Sequence, residues 1–268
     1  MQIIEVQSRE HPYRFNDEMP HLAPNIDYDC IMQEDGMPVG AYWHQAPKDL
    51  HGIADIADAE LRSGKFPISR MDRLGRDDEG KAFRLPQVSA ILGSSAPQAH
   101  MRAVNARRSR LHAQPAARNF IKAMSAFGRM AMELVRGTCP HLYAQHIDAL
   151  EREVSRDWRF ADYFTSSISN ANSAANLHQD RKNARGALNI IYVKRWQSRG
   201  GHLVVPEYDA VFAQPDHSML VYPAWRNAHA VTPIVPLRTG GYRNAHVFYA
   251  LRTTTWGPVP DFNAREEE

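Results

Sequence analysis

From Gly186 onward the apolar positions fall into short runs separated by turn formers. The runs are Ala187–Val193, His202–Val205, Asp209–Ala213, Ser218–Tyr222, His229–Val235 and Arg243–Arg252. Between them stand Arg199-Gly-Gly201, Pro206, Pro215-Asp216, Pro223 and Gly240-Gly241. Short strands at this spacing, with no helix-length periodic segment among them, predict an all-β barrel or sandwich. Upstream, Phe164–Asn172 reads as a strand running into a loop. The N-terminal half has a different period. Phe120, Met124, Phe127, Ala131 and Leu134 share one face of a helix over Ala116–Arg136, with Pro115 before it, Gly137 after it and Pro140 beyond. Leu142, His146, Leu150 and Val154 recur every four residues in a second helix, Pro140–Val154, and Ile53–Arg62 reads as a short third one. The expectation is an α+β chain with a mainly β core: a jelly-roll or cupin-like double-stranded β-helix buttressed by N-terminal helices. We expect a single domain over residues 1–268. A mixed, partly helical extension covers 1–160, the β-helix core covers 161–258, and a tail covers 259–268, frayed over Asn263–Glu268.

Composition changes this picture little, because the net charge is +2 with 23% charged residues. Charge distribution changes it more. Gly80–Met132 contains no Asp or Glu but nine basic residues, densest around Arg102, Arg107, Arg108 and Arg110. Such a stretch suits a polyanion, whose phosphates supply most sequence-independent affinity. It also suits a solvated basic face balanced by Asp72–Glu79 and the acidic tail Glu266-Glu-Glu268. Cys30 and Cys139 are too few for a disulfide framework. No apolar run is long enough to span a membrane, and no signal-peptide pattern begins at Met1. A soluble intracellular protein is expected.

The candidate chemistry lies in His178-Gln-Asp180, followed 49 residues later by His229 and 14 residues after that by Arg243. Two imidazoles and a carboxylate suit a non-haem Fe(II) site with open positions. In extended chain, residues i and i+2 face one side, so His178 and Asp180 can reach one ion. A second His-x-Asp, His146/Asp148, lies on predicted helix, where i and i+2 diverge. We read His146 as helix surface or core edge, not as a ligand. Taken alone, His178, Asp180 and His229 also fit ordinary satisfied polar residues.

The neighbouring sequence narrows the choice. His229-Ala-Val-Thr-Pro233, Arg243 and Val247-Phe-Tyr249 resemble the last two core strands of the TET and base-J (JBP) branch of the Fe(II)/2-oxoglutarate dioxygenases. Gly200-Gly-His-Leu-Val-Val-Pro-Glu207 resembles the glycine-led strand that precedes them, and His178-Gln-Asp180 with Asn183 resembles the iron motif. The likeness covers Phe164–Arg252. It implies Fe(II) held by His178, Asp180 and His229, with 2-oxoglutarate and O₂ as co-substrates. It also implies that the guanidinium of Arg243 grips the distal carboxylate of 2-oxoglutarate, with Arg238 as the competitor on the preceding turn. The implied reaction is hydroxylation of the methyl group of 5-methylcytosine, or another 5-methylpyrimidine, in DNA. The base would be flipped out of the duplex to reach a buried metal.

Two positions depart from the family. Leu251 stands where a histidine contacts the target base, and Ala245 stands where a serine often assists co-substrate binding. His246 is a candidate for either role. Asn183 is read as a substrate contact or as a turn residue. Trp225 and Trp256 are read as stacking platforms or as simple packing. Arg107, Arg108 and Arg110 are the candidate DNA contacts. The alternative functions are a 2-oxoglutarate-dependent hydroxylase of a small molecule or protein side chain, and a cupin-like binding module without oxidation.

Overall fold

The computed structural model describes residues 1–66, 68–76, 79–96 and 105–259. Arg102 of the basic stretch and the tail residues Asn263–Glu268 lie outside them. Along the chain come β1 (Gln2–Glu5), β2 (Cys30–Glu34), β3 (Met37–Trp43), α1 (Lys48–Ser63), β4 (Ser69–Arg76), β5 (Ala82–Ser95), β6 (Arg107–Arg108), α2 (Arg118–Thr138) and α3 (Pro140–Glu153). Then follow β7 (Ser166–Ala171), β8 (Ala175–His178), β9 (Asn189–Trp196), β10 (Ser198–Gly200), β11 (Leu203–Val205), β12 (Ala210–Phe212), β13 (Met219–Tyr222), β14 (His229–Val231), β15 (Ile234–Pro236) and β16 (Tyr242–Tyr249).

Eight of these strands make a double-stranded β-helix. β13, β9, β16 and β7 lie adjacent in the large sheet, and β12, β11, β14 and β8 form the small one. Between the sheets pack Ile191, Leu203, Val205, Phe212, Leu220 and Tyr222. The predicted run His229–Val235 is two strands, because Pro233 lacks the N–H that a ladder needs. After the break β15 leaves the small sheet and pairs with β10.

The N-terminal half adds more strand than its sequence suggested. β3 joins β13, carrying β2 and β1, while β5 joins β7 and carries β4. β2 and β3 form a hairpin through Asp35 and Gly36, with φ of 52° and 74°. That Asp-Gly pair between apolar runs is a strong hairpin signal that our reading passed over.

The helices cover the outer face of the large sheet, and the stripe on α2 is the contact. Phe120, Met124, Phe127 and Ala131 are fully buried, and the Phe127 ring meets Tyr192 and Phe248 edge-on. Each such aromatic contributes about 1.5–3 kcal/mol through burial. Gly128 permits the close approach, since a Cβ there would sit 3.0 Å from the Phe248 ring.

His146, expected at the helix surface or core edge, lies fully in the core. Its exposure is 0%, on the same α3 face as Leu142 and Leu150. Nδ1 accepts from the Leu188 N–H at 2.9 Å, and Nε2 donates to the Tyr163 carbonyl at 2.8 Å. Burial pushes its pKa down to about 4, so the ring is neutral. His146→Leu should therefore cost about 2 kcal/mol in chemical denaturation, because two buried backbone groups lose their partner. Metal binding should stay unchanged. No helix among the described residues is long and apolar enough to cross a membrane.

Candidate metal and anion site

The small sheet brings the three candidate ligands together. β14 runs antiparallel to β8 with His229 directly opposite His178, and the imidazole centroids lie 4.2 Å apart. Asp180 follows β8 by two residues, and its N–H donates to the Ala224 carbonyl at 3.0 Å. Each of the three offers one ligand atom, and these atoms all lie within 4.8 Å of one another.

The surroundings fix the orientation of each donor. His178 Nδ1 lies 2.7 Å from the Asn176 carbonyl and donates to it, which leaves the Nε2 lone pair for an ion. Asp180 Oδ2 accepts from Asn189 Nδ2 at 2.8 Å, and Asn183 Nδ2 lies 3.4 Å away. Asn183 Nδ2 also bonds Asn189 Oδ1 at 2.8 Å. Asn183 is thus a buried partner of the carboxylate, and Asn189 is a partner that the sequence reading missed. His229 is nearly buried, and burial above all pushes its pKa down to about 4 despite the attraction of Asp180. A neutral imidazole is the form that ligates a metal.

Glu207 holds the approach to His229. Its carboxylate accepts from Asn227 Nδ2 and, at 3.3 Å, from the Ala228 N–H. This gives the Pro-Glu pair of the sequence a local task.

His178, Asp180, His229, Asn183 and Asn189 line a cavity of about 570 Å³. Arg243, Ala245, Val247 and Tyr249 of β16 contribute to its wall, as does Leu251 beyond the strand. Side chains alternate along a strand, so Asn244, His246 and Phe248 face the helices instead. His246 is completely buried there, with Nδ1 2.8 Å from Ser169 Oγ and its ring edge-on to Phe127. It does not line the cavity, and neither role suggested for it fits this placement.

Arg243 is 1% exposed. One terminal nitrogen donates to Gln214 Oε1, while Nε has no partner. Among the described residues no carboxylate pairs with it. Burial, and then the neighbouring Arg195 opposite it on β9, pulls its pKa down to about 9, which still leaves it charged at neutral pH. A buried cation without an anion is costly, so the geometry fits an incoming carboxylate. Arg238 lies exposed near the turn and does not line the cavity.

Gly201 explains why Arg243 can lie where it does. With φ of 65°, a Cβ there would stand 2.4 Å from Arg243 Cδ. Gly201→Ala should displace the guanidinium and raise the half-saturating concentration of the bound dicarboxylate about tenfold in titration calorimetry, roughly 1.4 kcal/mol. The candidate donors His178, Asp180 and His229 lie elsewhere on β8, just beyond it and on β14, so metal affinity should not change.

The remaining candidates sit apart from the cavity. Trp225 is half-buried, and its carbonyl accepts from Gln179 Nε2 at 2.8 Å. Trp256 packs edge-on against Trp158. Arg108 donates to the Asp157 carbonyl at 2.7 Å, while Arg107 and Arg110 are exposed.

No protein-family model matches the sequence, and no curated protein is similar to it. Among solved structures, one described as NgTET1 in complex with 5mC DNA superposes with a TM-score of 0.59 at 12% identity, covering 89% of this chain and 83% of that one. A 2OG-Fe(II) oxygenase family oxidoreductase from Burkholderia pseudomallei gives a TM-score of 0.42 at 13% identity, covering 78% and 84%. At such identities the likeness is one of fold.

Proposed function

We propose that this chain is an Fe(II)/2-oxoglutarate-dependent dioxygenase that hydroxylates the methyl group of 5-methylcytosine, or another 5-methylpyrimidine, in DNA. One observation carries the enzymatic part. A single cavity is lined by a His-Asp-His donor set and by a buried arginine that has no carboxylate partner among the described residues. His178, Asp180 and His229 would hold a ferrous ion, with Arg243 placed to receive a keto acid's distal carboxylate. Bound iron with 2-oxoglutarate supplies the oxidising power to exchange a C–H for a C–OH.

The residues of the chain do the rest. His178, Asp180 and His229 hold the ion, with Asn183 and Asn189 keeping the Asp180 carboxylate oriented. Arg243 binds the distal carboxylate of 2-oxoglutarate. Ile168, Ile191, Leu203 and Val247 give the cavity an apolar wall that limits water near the reacting group. Tyr249 offers a ring to a base entering the cavity.

The fold it shares with NgTET1, a protein solved with 5mC DNA, supports DNA as substrate. So does the run of basic residues from Lys81 to Arg129, of which Arg107 and Arg110 are exposed. Leu251 favours the second reading, a hydroxylase of a small molecule or protein side chain, because it gives the wall a hydrocarbon where base recognition calls for a polar group. Mass spectrometry of nucleosides separates the two. After incubation with Fe(II), 2-oxoglutarate and methylated DNA, a hydroxymethylpyrimidine is expected. Succinate release without a modified nucleoside would refute the DNA reading and leave the oxygenase intact.

A further inference from the structure

The outer face of the large sheet carries a second groove, remote from the metal ligands. Its walls include Arg62 from the end of α1, Arg70 and Pro86 from β4 and β5, and Trp196 and Tyr242 from β9 and β16. Trp196 and Tyr242 are cross-strand partners, so their rings stand side by side on one face. Trp196 is 49% exposed, a large ring left in water. The Arg62 guanidinium lies 4.7 Å over the Tyr242 ring.

Among the described residues no acidic side chain lines this groove. Asp58 lies beneath it, only 1% exposed, and is bonded to Arg62, Tyr242 and Asn244. The alternation of β4 and β5 puts exposed Arg84 on the same side as Arg70, with Asp72 the one acid on that side of the pair. Across the back of the sheet the two rings, with Arg62 over one of them, lead to Arg70 in the groove wall and Arg84 further along β5. This combination fits a chain of phosphates that bears flat, unpaired bases.

We propose that this groove is an accessory track for a single-stranded segment of the polynucleotide, with one base stacked on Trp196 and phosphates on Arg62, Arg70 and Arg84. The inference rests on the reading that the partner is a nucleic acid. It adds that the strand is gripped on the face opposite the cavity, without regard to base identity. Strand held there anchors the substrate while different bases are presented at the metal site.

The test uses the full chain without iron or co-substrate, at low salt. The probe is a fluorescein-labelled oligothymidylate of about 15 nucleotides, near the upper site size of single-strand binders. Trp196→Ala should weaken binding about tenfold, and Trp196→Phe should restore most of it. Arg70→Gln should lower the slope of log affinity against log salt by about 0.7, the value for one phosphate on a single strand. If both variants bind like the unsubstituted chain while Arg107→Gln weakens binding, the track is wrong and the nucleic-acid reading stands. If the unsubstituted chain binds no oligonucleotide, the track is wrong, and the hydroxymethylpyrimidine readout decides the nucleic-acid reading by itself. Thymidine monophosphate binding as tightly as the oligonucleotide would make the groove a mononucleotide pocket and overturn the track, as would a preference for duplex.

Discussion

Asp180→Ala is expected to abolish Fe(II)-dependent turnover and to remove metal binding as read by isothermal titration with Mn(II). The carboxylate is the one anionic donor facing His178 and His229 in the set, so its loss removes charge neutralisation as well as a ligand. It also strips Asn183 and Asn189 of the acceptor they share. The graded comparison is Asn189→Ala, which leaves every ligand in place. Loss of an outer partner of this kind lowers metal affinity by roughly 10–100-fold. Asp180→Ala should exceed that range, and Asn189→Ala should fall within it. If Asp180→Ala bound Mn(II) as tightly as the unsubstituted chain, the donor set would be misassigned. His146→Ala is the control for a buried histidine outside the site. It should reduce stability and leave metal affinity alone.

The second large effect concerns Arg243. Arg243→Ala should raise the KM for 2-oxoglutarate about a hundredfold, a loss of about 2.7 kcal/mol. A charge-assisted hydrogen bond contributes about 1.5–3 kcal/mol, so the figure corresponds to one or two such bonds. The effect on folding has the opposite tendency. The ligand-free chain holds a desolvated cation without a carboxylate, so removing it should leave thermal stability unchanged or higher. What should vanish is the rise in Tm when 2-oxoglutarate is added, because stabilisation by a ligand follows its affinity for the folded state. Arg238→Ala, on the exposed turn, should change neither quantity. A normal KM for Arg243→Ala together with a raised KM for Arg238→Ala would exchange the two assignments.

The β-helix was legible because its strands are short apolar runs cut by Gly and Pro, and strand alternation is a local signal. The same period-2 logic brought His178 and Asp180 to one side and distinguished them from His146/Asp148 on a helix. It was not carried through β16, where Arg243 and His246 differ by an odd number and therefore face opposite sides. For His146, residue type outweighed periodicity. Its spacing with Leu142 and Leu150 put it on the buried stripe, whereas a histidine by type reads as helix surface or core edge, and it lies outside the donor set as expected. Gly201 and Glu207 stand in the glycine-led motif with no mark of what they touch, and Asn189 carries no signal of its own. Gly201 acts on Arg243 and Glu207 on the Asn227–Ala228 link across long sequence separations, while Asn189 reaches back nine residues to Asp180 through the link between β8 and β9. The N-terminal strands were missed for two reasons. The Asp35-Gly36 turn was available and unused, whereas parallel pairing of β1 with β2 has no local mark.

The pairing of His229 with His178 sets how the chain tolerates changes in length. Inserting one residue between Ala230 and Val231, with the later register kept, would place Ala230 opposite His178 and point the His229 imidazole away from Asp180. A residue added to the exposed turn at Arg238–Gly240 meets no such register and leaves the three donors where they are. Functional variants carrying insertions and deletions should accumulate at that turn and be absent from the three residues of β14.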